Sequence, residues 1–382
     1  MSANIPMKKI ILIVFGLVAG LLVTILADHL INWYLIKTAY FKTEVPNITY
    51  VYDTVEYQNS VKISSQGLRN RQVPIPKPKG TYRILALGDS FTHGLGVSDS
   101  QTWPQLLENS LKVNNQKLQV INAGQPGFGT IEEVKTCQIY AGNLQADAII
   151  LGFYSTNDLY QNAAWDKSNS LIGKLTENLF PALSLIASPF NVVRNPQIKP
   201  GQILKERDNW KSRAKSWTQA HYLEFSRLDL VTKEAFINGK LNPFVVITPS
   251  VEPQFLSKML DPVNLEDAIN ATSKLFRKLK SCTKDRPVFV LFLPSMEITS
   301  QKYLNQRRNF GYDLNEKLLK LDIDNPLAQI SKRYSFTYIS LLENFRKDGC
   351  PNCFYKLDTH LTKQGNIRVA NYLRKELGGK LK

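Results

Sequence analysis

Five short apolar runs, each separated from the next by polar stretches with a helical pattern, dominate the chain after residue 80. The runs are residues 82–87, 118–121, 148–153, 288–293 and 336–339. A strand buried on both faces is apolar along its length, and strands that alternate with helices form parallel sheets. The pattern therefore predicts an α/β fold: a three-layer α/β/α sandwich around a parallel five-stranded sheet.

A long excursion separates the third and fourth runs, at about residues 159–286. A stretch of this length is too long for a bare loop and predicts a helical insertion. Within it, residues 205–217 combine basic side chains with Trp210 and Trp217, which are two helical turns apart. This stretch is either a lid that touches an anionic substrate or lipid headgroups, or a solvated basic helix with its tryptophans packed inward. Residues 264–279 predict an amphipathic helix before the fourth strand.

The segment at residues 10–27 carries no charged side chain. As a helix it is about 27 Å long, close to the hydrocarbon thickness of a bilayer. Lys8 and Lys9 precede it and Asp28 follows it. The positive-inside rule then keeps the N-terminus in the cytoplasm and places the rest of the chain beyond the cytoplasmic membrane, as in a single-pass protein.

Two other interpretations of this segment are weaker. A cleaved signal peptide prefers small residues before the cut, yet Ile25 lies three residues before a cut after Ala27. A buried core helix requires apolar surroundings on every face. The sequence thus predicts four parts, namely residues 1–9 in the cytoplasm, a transmembrane anchor at 10–27, a connector with short strands at 28–80, and a catalytic domain with its insertion at 81–382.

Composition excludes disorder, and its basic excess favours either an anionic partner, such as an acidic polymer or lipid headgroups, or a soluble surface that is simply basic. Apolar residues make 43% of the chain and the formal net charge is +16. The basic residues are spread along the chain without a zinc-finger or RNA-recognition signature, so we expect no nucleic-acid partner. Among four cysteines, Cys350 and Cys353 either close a small disulfide loop in an oxidising compartment or stay unpaired, and a zinc site lacks a second such pair.

Chemistry-bearing residues follow the predicted strands. Ser90 comes directly after the first strand, and a serine hydroxyl needs a neighbouring base to act as a nucleophile. Of the four histidines, His360 has an acid two residues before it, Asp358, which can orient the imidazole and stabilise its charged form. Near Ser90, His93 has only Asp89 beside it. The residues predict a catalytic set of Ser90, His360 and Asp358.

The order of these blocks resembles the SGNH hydrolases, the GDSL-type esterase and lipase family. The blocks are Gly88-Asp89-Ser90, Gly124 after the second strand, Asn157 after the third, and the late Asp358/His360 pair. The first block, GDSFT followed by glycines, resembles that of membrane-anchored bacterial members. Two positions depart from the family pattern: Thr156 precedes the asparagine where glycine is usual, and the late pair is spaced Asp-x-His.

The resemblance implies an SGNH/flavodoxin-like sheet and an acyl-serine mechanism that needs no metal or organic cofactor. The oxyanion hole would consist of the Ser90 and Gly124 backbone N–H groups and the Asn157 amide. Glycine at 124 would let the backbone approach the substrate closely. The expected function is an acyl or acetyl esterase outside the membrane, acting on an acylated small molecule, glycan or lipid. Two alternatives stay open: an O-acyltransferase for a cell-envelope polysaccharide, and an inactive carbohydrate- or partner-binding module.

Overall fold

The strands form two sheets. The computed structural model describes residues 7–37, 43–113, 116–168, 179–183, 199–246 and 252–381. The strands are β1 (Thr49–Asp53), β2 (Gln58–Lys62), β3 (Thr81–Gly88), β4 (Lys117–Asn122), β5 (Ala148–Tyr154), β6 (Ile203–Lys205), β7 (Val288–Leu293) and β8 (Thr337–Ser340). The larger sheet has the order β4-β3-β5-β7-β8 with every neighbouring pair parallel, so the predicted five-stranded parallel sheet is confirmed.

The helices are listed here in chain order. They are α1 (Met7–Lys37), α2 (Ser90–His93), α3 (Trp103–Ser110), α4 (Thr130–Asn143), α5 (Asn157–Ser168), α6 (Glu206–Ala220), α7 (Tyr222–Arg227), α8 (Leu230–Ile237), α9 (Pro243–Val246), α10 (Glu252–Lys258), α11 (Pro262–Thr283), α12 (Gln301–Arg308), α13 (Asp324–Arg333), α14 (Leu342–Arg346) and α15 (Lys363–Leu377). Short 3-10 helices lie at Asp99–Gln101, Met296–Ile298 and Glu316–Lys320.

Helices cover both faces of the larger sheet. Alternate residues of β3 face opposite sides: Leu85 packs in a cluster with side chains of α4, α11 and α13, whereas Ile84 packs with α3 and α15. This alternation is the two-residue period of a strand, and burial on both sides explains the unbroken apolar runs in the sequence. The predicted three-layer α/β/α sandwich is confirmed.

The strand order creates a topological switch point at β3. The chain passes from β3 to β4 on one side of the sheet and then crosses over to β5 on the other side of β3. In open parallel sheets of this flavodoxin-like order, ligands bind beyond the carboxyl ends of the strands at the switch point. The residues after Gly88 therefore lie where this fold places its chemistry.

The connector forms a small sheet that packs beside the larger one. β1 and β2 make an antiparallel hairpin, and β6 from the insertion pairs in parallel with β1. Tyr52 and Tyr57 of this region share a buried cluster with Leu95, just after α2, and with Trp210 of the insertion. The short strands predicted for the connector are thus present, and they contact the residues that follow Ser90.

Apart from the short strand β6, the described part of the insertion is mainly helical, as predicted. Residues 169–178, 184–198 and 247–251 of it lie outside the described residues. The basic stretch forms most of α6, with Lys211 and Lys215 exposed. Trp210 is buried against Tyr52, with ring centroids 6.0 Å apart, and Trp217 meets Phe244 at 5.6 Å. This arrangement matches the solvated basic helix with inward tryptophans. The amphipathic helix predicted at 264–279 is α11.

Helix α1 extends beyond the predicted anchor at both ends. It is long and apolar enough to cross a membrane, and its apolar window is not buried against the rest of the protein, which contradicts a core helix. Its C-terminal end is attached: Leu35 is buried, and the Asn143 side-chain amide donates to the Ile36 carbonyl. The Asp28 carboxylate accepts the backbone N–H of Ala182 at 2.8 Å.

All four cysteines pair. Cys350 and Cys353 form the small loop disulfide that the sequence left open against unpaired thiols. The second disulfide joins Cys137 on α4 to Cys282 on α11, 145 residues later in the chain. The sequence did not predict this pairing, because only the packing of the two helices brings these positions together. The second bridge fixes the end of the insertion to the sandwich.

Candidate active site

Ser90 begins a short helix immediately after β3. Gly88 has a φ of +152°, which favours glycine, and an added Cβ there would lie 2.0 Å from Thr92 Oγ1. The Asp89 carboxylate caps α2 by accepting the Phe91 N–H at 2.8 Å, and Gly94 ends the helix in the left-handed region. This local geometry presents Ser90 at the carboxyl end of the central strand.

The structure brings Ser90, His360 and Asp358 together. His360 Nε2 lies 2.7 Å from Ser90 Oγ. The other ring nitrogen, Nδ1, is hydrogen-bonded to the Asp358 carboxylate. All three residues are buried, with Ser90 only 7% exposed. A hydroxyl bonded to an imidazole that is itself bonded to a carboxylate is the arrangement that activates an oxygen nucleophile.

A tight turn lets the side chains of Asp358 and His360 meet although the two residues are only two positions apart. The Tyr355 N–H donates to the His360 carbonyl at 2.9 Å, closing the turn that carries both side chains. Between them, Thr359 has a φ of +68°, which is uncommon for a β-branched residue. The left-handed residue turns the chain so that the Asp358 carboxylate meets the neighbouring imidazole.

Asp358 is held from outside the family blocks as well. Its Oδ2 accepts the hydroxyl of Tyr57 at 2.7 Å, and its backbone N–H donates to Glu56 at 2.7 Å. Burial alone would raise the pKa of Asp358, but the imidazole of His360 and hydrogen bonds from Tyr57 and Asn242 outweigh it. These partners hold the pKa of the carboxyl below its usual value and keep it ionised.

Two of the three predicted oxyanion donors, Gly124 and Asn157, have protein acceptors in this structure. The Asn157 side-chain amide donates to Asp89 Oδ2 at 3.1 Å, which uses one of its two N–H groups. The Gly124 N–H donates to the Asn122 side chain at 3.1 Å, so binding an oxyanion there requires this bond to open. The role of both residues in the oxyanion hole stays a prediction.

Close packing explains why residue 124 is a glycine, and the sequence did not reveal this packing. A Cβ at this position would lie 2.3 Å from the backbone nitrogen of His93 and 2.7 Å from the carbonyl carbon of Thr92. The loop after β4 therefore packs directly on the backbone of α2. The glycine is required by this contact with the helix that carries Ser90, independently of any approach to a substrate.

Two further connector residues hold α2 and were missed by the sequence analysis. Glu44 faces His93, with its carboxylate 3.3 Å from Nε2. Burial lowers the pKa of His93 and favours the neutral ring despite this carboxylate. The buried Arg69 guanidinium donates to the carbonyls of His93 and Gly94 at 2.9 and 2.6 Å. Neither partner is adjacent in sequence, so no local motif signals them.

Two buried carboxyl groups lie behind the site. Asp158 accepts the Thr130 hydroxyl at 2.8 Å and the Tyr154 N–H at 2.7 Å, so it ties the end of β5 to α4. Burial raises the pKa of Asp158 and of Glu133 well above their usual values, and the negative charges of neighbouring acids add to this shift. Across the residues that the structure describes, no group of three or more acidic, histidine or cysteine side chains has a metal-binding arrangement.

Comparison with known proteins gives matches only among solved structures. No protein-family model and no curated protein matches the chain. A lipase/acylhydrolase from Enterococcus faecalis matches at 13% identity over 79% of this chain and 97% of that chain, with a TM-score of 0.38. A catalytic mutant of an acetylxylan esterase from Geobacillus stearothermophilus matches at 10% identity over 78% and 94%, with a TM-score of 0.38.

A two-domain esterase active on acetylated mannans, crystallised with mannopentaose, matches at 11% identity with a TM-score of 0.37. The match covers 78% of this chain but spans only 49% of that esterase. These three structures are described as a lipase/acylhydrolase and as esterases, and a further match is described as a putative lipolytic protein of the G-D-S-L family.

Proposed function

We propose that this chain is an SGNH-type serine ester hydrolase that forms an acyl-Ser90 intermediate. The observation that carries the proposal is the continuous hydrogen-bonded chain from Ser90 Oγ through the His360 ring to the Asp358 carboxylate. The same chain of contacts is difficult to explain in an inactive binding module, because binding a glycan does not require a histidine that bridges a serine and a carboxylate.

In the first half-reaction, Ser90 Oγ attacks the carbonyl carbon of the ester while His360 Nε2 accepts the hydroxyl proton. The tetrahedral intermediate collapses when His360 gives this proton to the leaving alcohol, and the acyl group stays on Ser90. In the second half-reaction, His360 takes a proton from water while the water oxygen attacks the acyl carbon. The bond from this carbon to Ser90 Oγ then breaks, Ser90 takes the proton from His360, and the carboxylic acid leaves. Asp358 stays ionised and stabilises the imidazolium in both halves.

The proposed location is the far side of the cytoplasmic membrane, with α1 as the anchor. Lys8 and Lys9 before the apolar segment favour a cytoplasmic N-terminus. The pairing of all four cysteines supports an oxidising compartment for the rest of the chain. A reporter fusion that places the C-terminus in the cytoplasm would contradict this topology.

The substrate class that we propose is an acylated glycan or lipid of the cell envelope, because the anchored site would face it. Full-length protein in detergent should release acetate from acetylated oligosaccharides or from short-chain esters. Ser90→Ala should lose about 10⁴-fold or more in rate. Ser100, an exposed serine in the 3-10 helix Asp99–Gln101, gives the matched control Ser100→Ala, which should keep wild-type activity.

The acceptor decides between hydrolysis and acyl transfer, since both proceed through the same acyl-serine. Supplying an unacetylated oligosaccharide in excess and measuring acetyl transfer against acetate release separates the two. Transfer in excess of hydrolysis would replace the esterase by the O-acyltransferase. Glycan binding without turnover of any ester would instead favour the binding module.

A further inference from the structure

The hairpin of β1 and β2 reaches the candidate active site with its turn. The turn spans Thr54 to Tyr57 and is closed by the Thr54 N–H, which donates to the Tyr57 carbonyl at 3.0 Å. The Thr54 hydroxyl accepts the Tyr57 N–H at 2.9 Å, which fixes the turn further. The Val55 N–H donates to the Lys240 carbonyl at 3.0 Å, so the insertion braces the tip of the hairpin.

Glu56 and Tyr57 at this tip hold the acid of the candidate triad. Tyr57 is 7% exposed, and its hydroxyl donates to Asp358 Oδ2. The two oxygens of Glu56 accept the backbone N–H groups of Leu357 and Asp358 at 2.9 and 2.7 Å. One residue therefore fixes the side chain of Asp358, and its neighbour fixes the backbone.

The two oxygens of Asp358 have different partners. Oδ1 bonds the His360 ring and Oδ2 bonds the Tyr57 hydroxyl, so the plane of the carboxylate is set by groups on opposite sides. Without the hydroxyl, Oδ2 loses a donor in a buried environment, and the carboxylate gains freedom to rotate away from the ring. Burial, together with the Asp358 charge, raises the pKa of Tyr57 well above its usual value, so the hydroxyl stays a donor.

We infer that Tyr57 is a positioning residue for the reaction, acting through Asp358 on His360. The inference rests on the proposed function. It gives the connector a positioning role in the reaction, because Tyr57 lies outside the SGNH blocks and holds the Asp358 carboxylate. Asn242 of the insertion also helps to lower the pKa of this carboxyl. The ionisable groups that face Asp358 are His360, Glu56, Tyr52, Tyr57 and Tyr355.

Tyr57→Phe removes only the hydroxyl and keeps the ring. Tyr355→Phe is the matched control: its ring lies 5.0 Å from that of Tyr57, but its hydroxyl donates to the Gly96 carbonyl at 2.8 Å. Full-length protein in detergent should show kcat lowered about tenfold by Tyr57→Phe with KM little changed, as expected when an oriented group loosens. Tyr355→Phe should stay within about twofold of wild type.

A second readout does not depend on turnover. The chain has four histidines, so ¹³C-labelled histidine gives few signals, and the His360 signal is assigned by its loss in His360→Ala. With the hydroxyl gone, the Asp358 carboxylate is free to rotate away from the ring and stabilises the imidazolium less. The titration of His360 should move to lower pH in Tyr57→Phe and stay in place in Tyr355→Phe.

The coupling to Asp358 is tested by a double-mutant cycle. In an Asp358→Ala background, Tyr57→Phe should have no further effect on kcat, since its partner is gone. Equal effects of Tyr57→Phe in both backgrounds, or a His360 titration that does not differ from the Tyr355→Phe control, would overturn the inference. If the wild type turns over no ester but the His360 titration still shifts in Tyr57→Phe, the proposed function is contradicted, whereas the effect of Tyr57 on the Asp358–His360 pair is supported.

Discussion

The disulfide between Cys137 and Cys282 should be a major source of stability. It closes a separation of 145 residues, whereas Cys350 and Cys353 are 3 residues apart. In the chain-entropy model the unfolded state loses more freedom when a longer loop is closed. The model gives about 5 kcal/mol for the long loop. It gives roughly 1.6 kcal/mol for the short one.

The assay compares Cys137→Ala/Cys282→Ala with Cys350→Ala/Cys353→Ala by denaturant unfolding, followed by tryptophan fluorescence. Both double variants remove two sulfur atoms, so the loss of packing is similar and the loop length is the main difference. The first variant should lose about 3 kcal/mol more free energy of unfolding than the second. Equal losses in the two variants would refute the entropic reasoning and show that the long bridge does not restrict the unfolded chain.

Three further predictions concern the surroundings of Ser90. Gly124→Ala should lower both stability and activity, because the new Cβ would lie 2.3 Å from the His93 backbone nitrogen. Gly142→Ala is the control: its Cβ would have nothing within 4 Å, so thermal unfolding should show no change or a stabilisation of up to about 1 kcal/mol. The raised pKa of Glu133 means that the folded state binds more protons than the unfolded state above pH ~4.3, so stability falls as pH rises. Glu133→Gln should therefore lose less stability than wild type between pH 5 and pH 8 in denaturant unfolding. Asn157→Ala should lower kcat about 10²- to 10³-fold if the amide binds the oxyanion, and an unchanged kcat would remove it from that role.

The sheet was predictable because its signal is local. Strands buried on both faces are apolar along their whole length, so each run could be recognised within a few residues. The N-terminal helix extends beyond the predicted anchor at both ends. Its core of 10–27 was marked by the absence of charge, but Asp28 does not end a helix, and the structure shows its carboxylate bound to the Ala182 N–H instead.

The residue types of the candidate site were predictable from the sequence. The residues that hold them in place were less so. Ser90 and the Asp358/His360 pair carry chemistry that few other residues offer, so their proximity could be predicted without knowing any distances. Tyr57 lies 301 residues from Asp358 in the chain, and nothing in its neighbourhood marks it. The same holds for Arg69, whose contacts with the end of α2 depend on how the connector folds back. Such partners are defined only by tertiary packing.

The central claim is that Ser90 is an activated nucleophile with His360 as its base. A serine-reactive fluorophosphonate probe on the full-length protein in detergent tests it most directly, beside Ser90→Ala and His360→Ala, with folding of each variant checked by thermal unfolding. The account predicts that the wild type is labelled and that both variants are not. Labelling that persists in Ser90→Ala, or a folded wild type that takes up no probe, would contradict it.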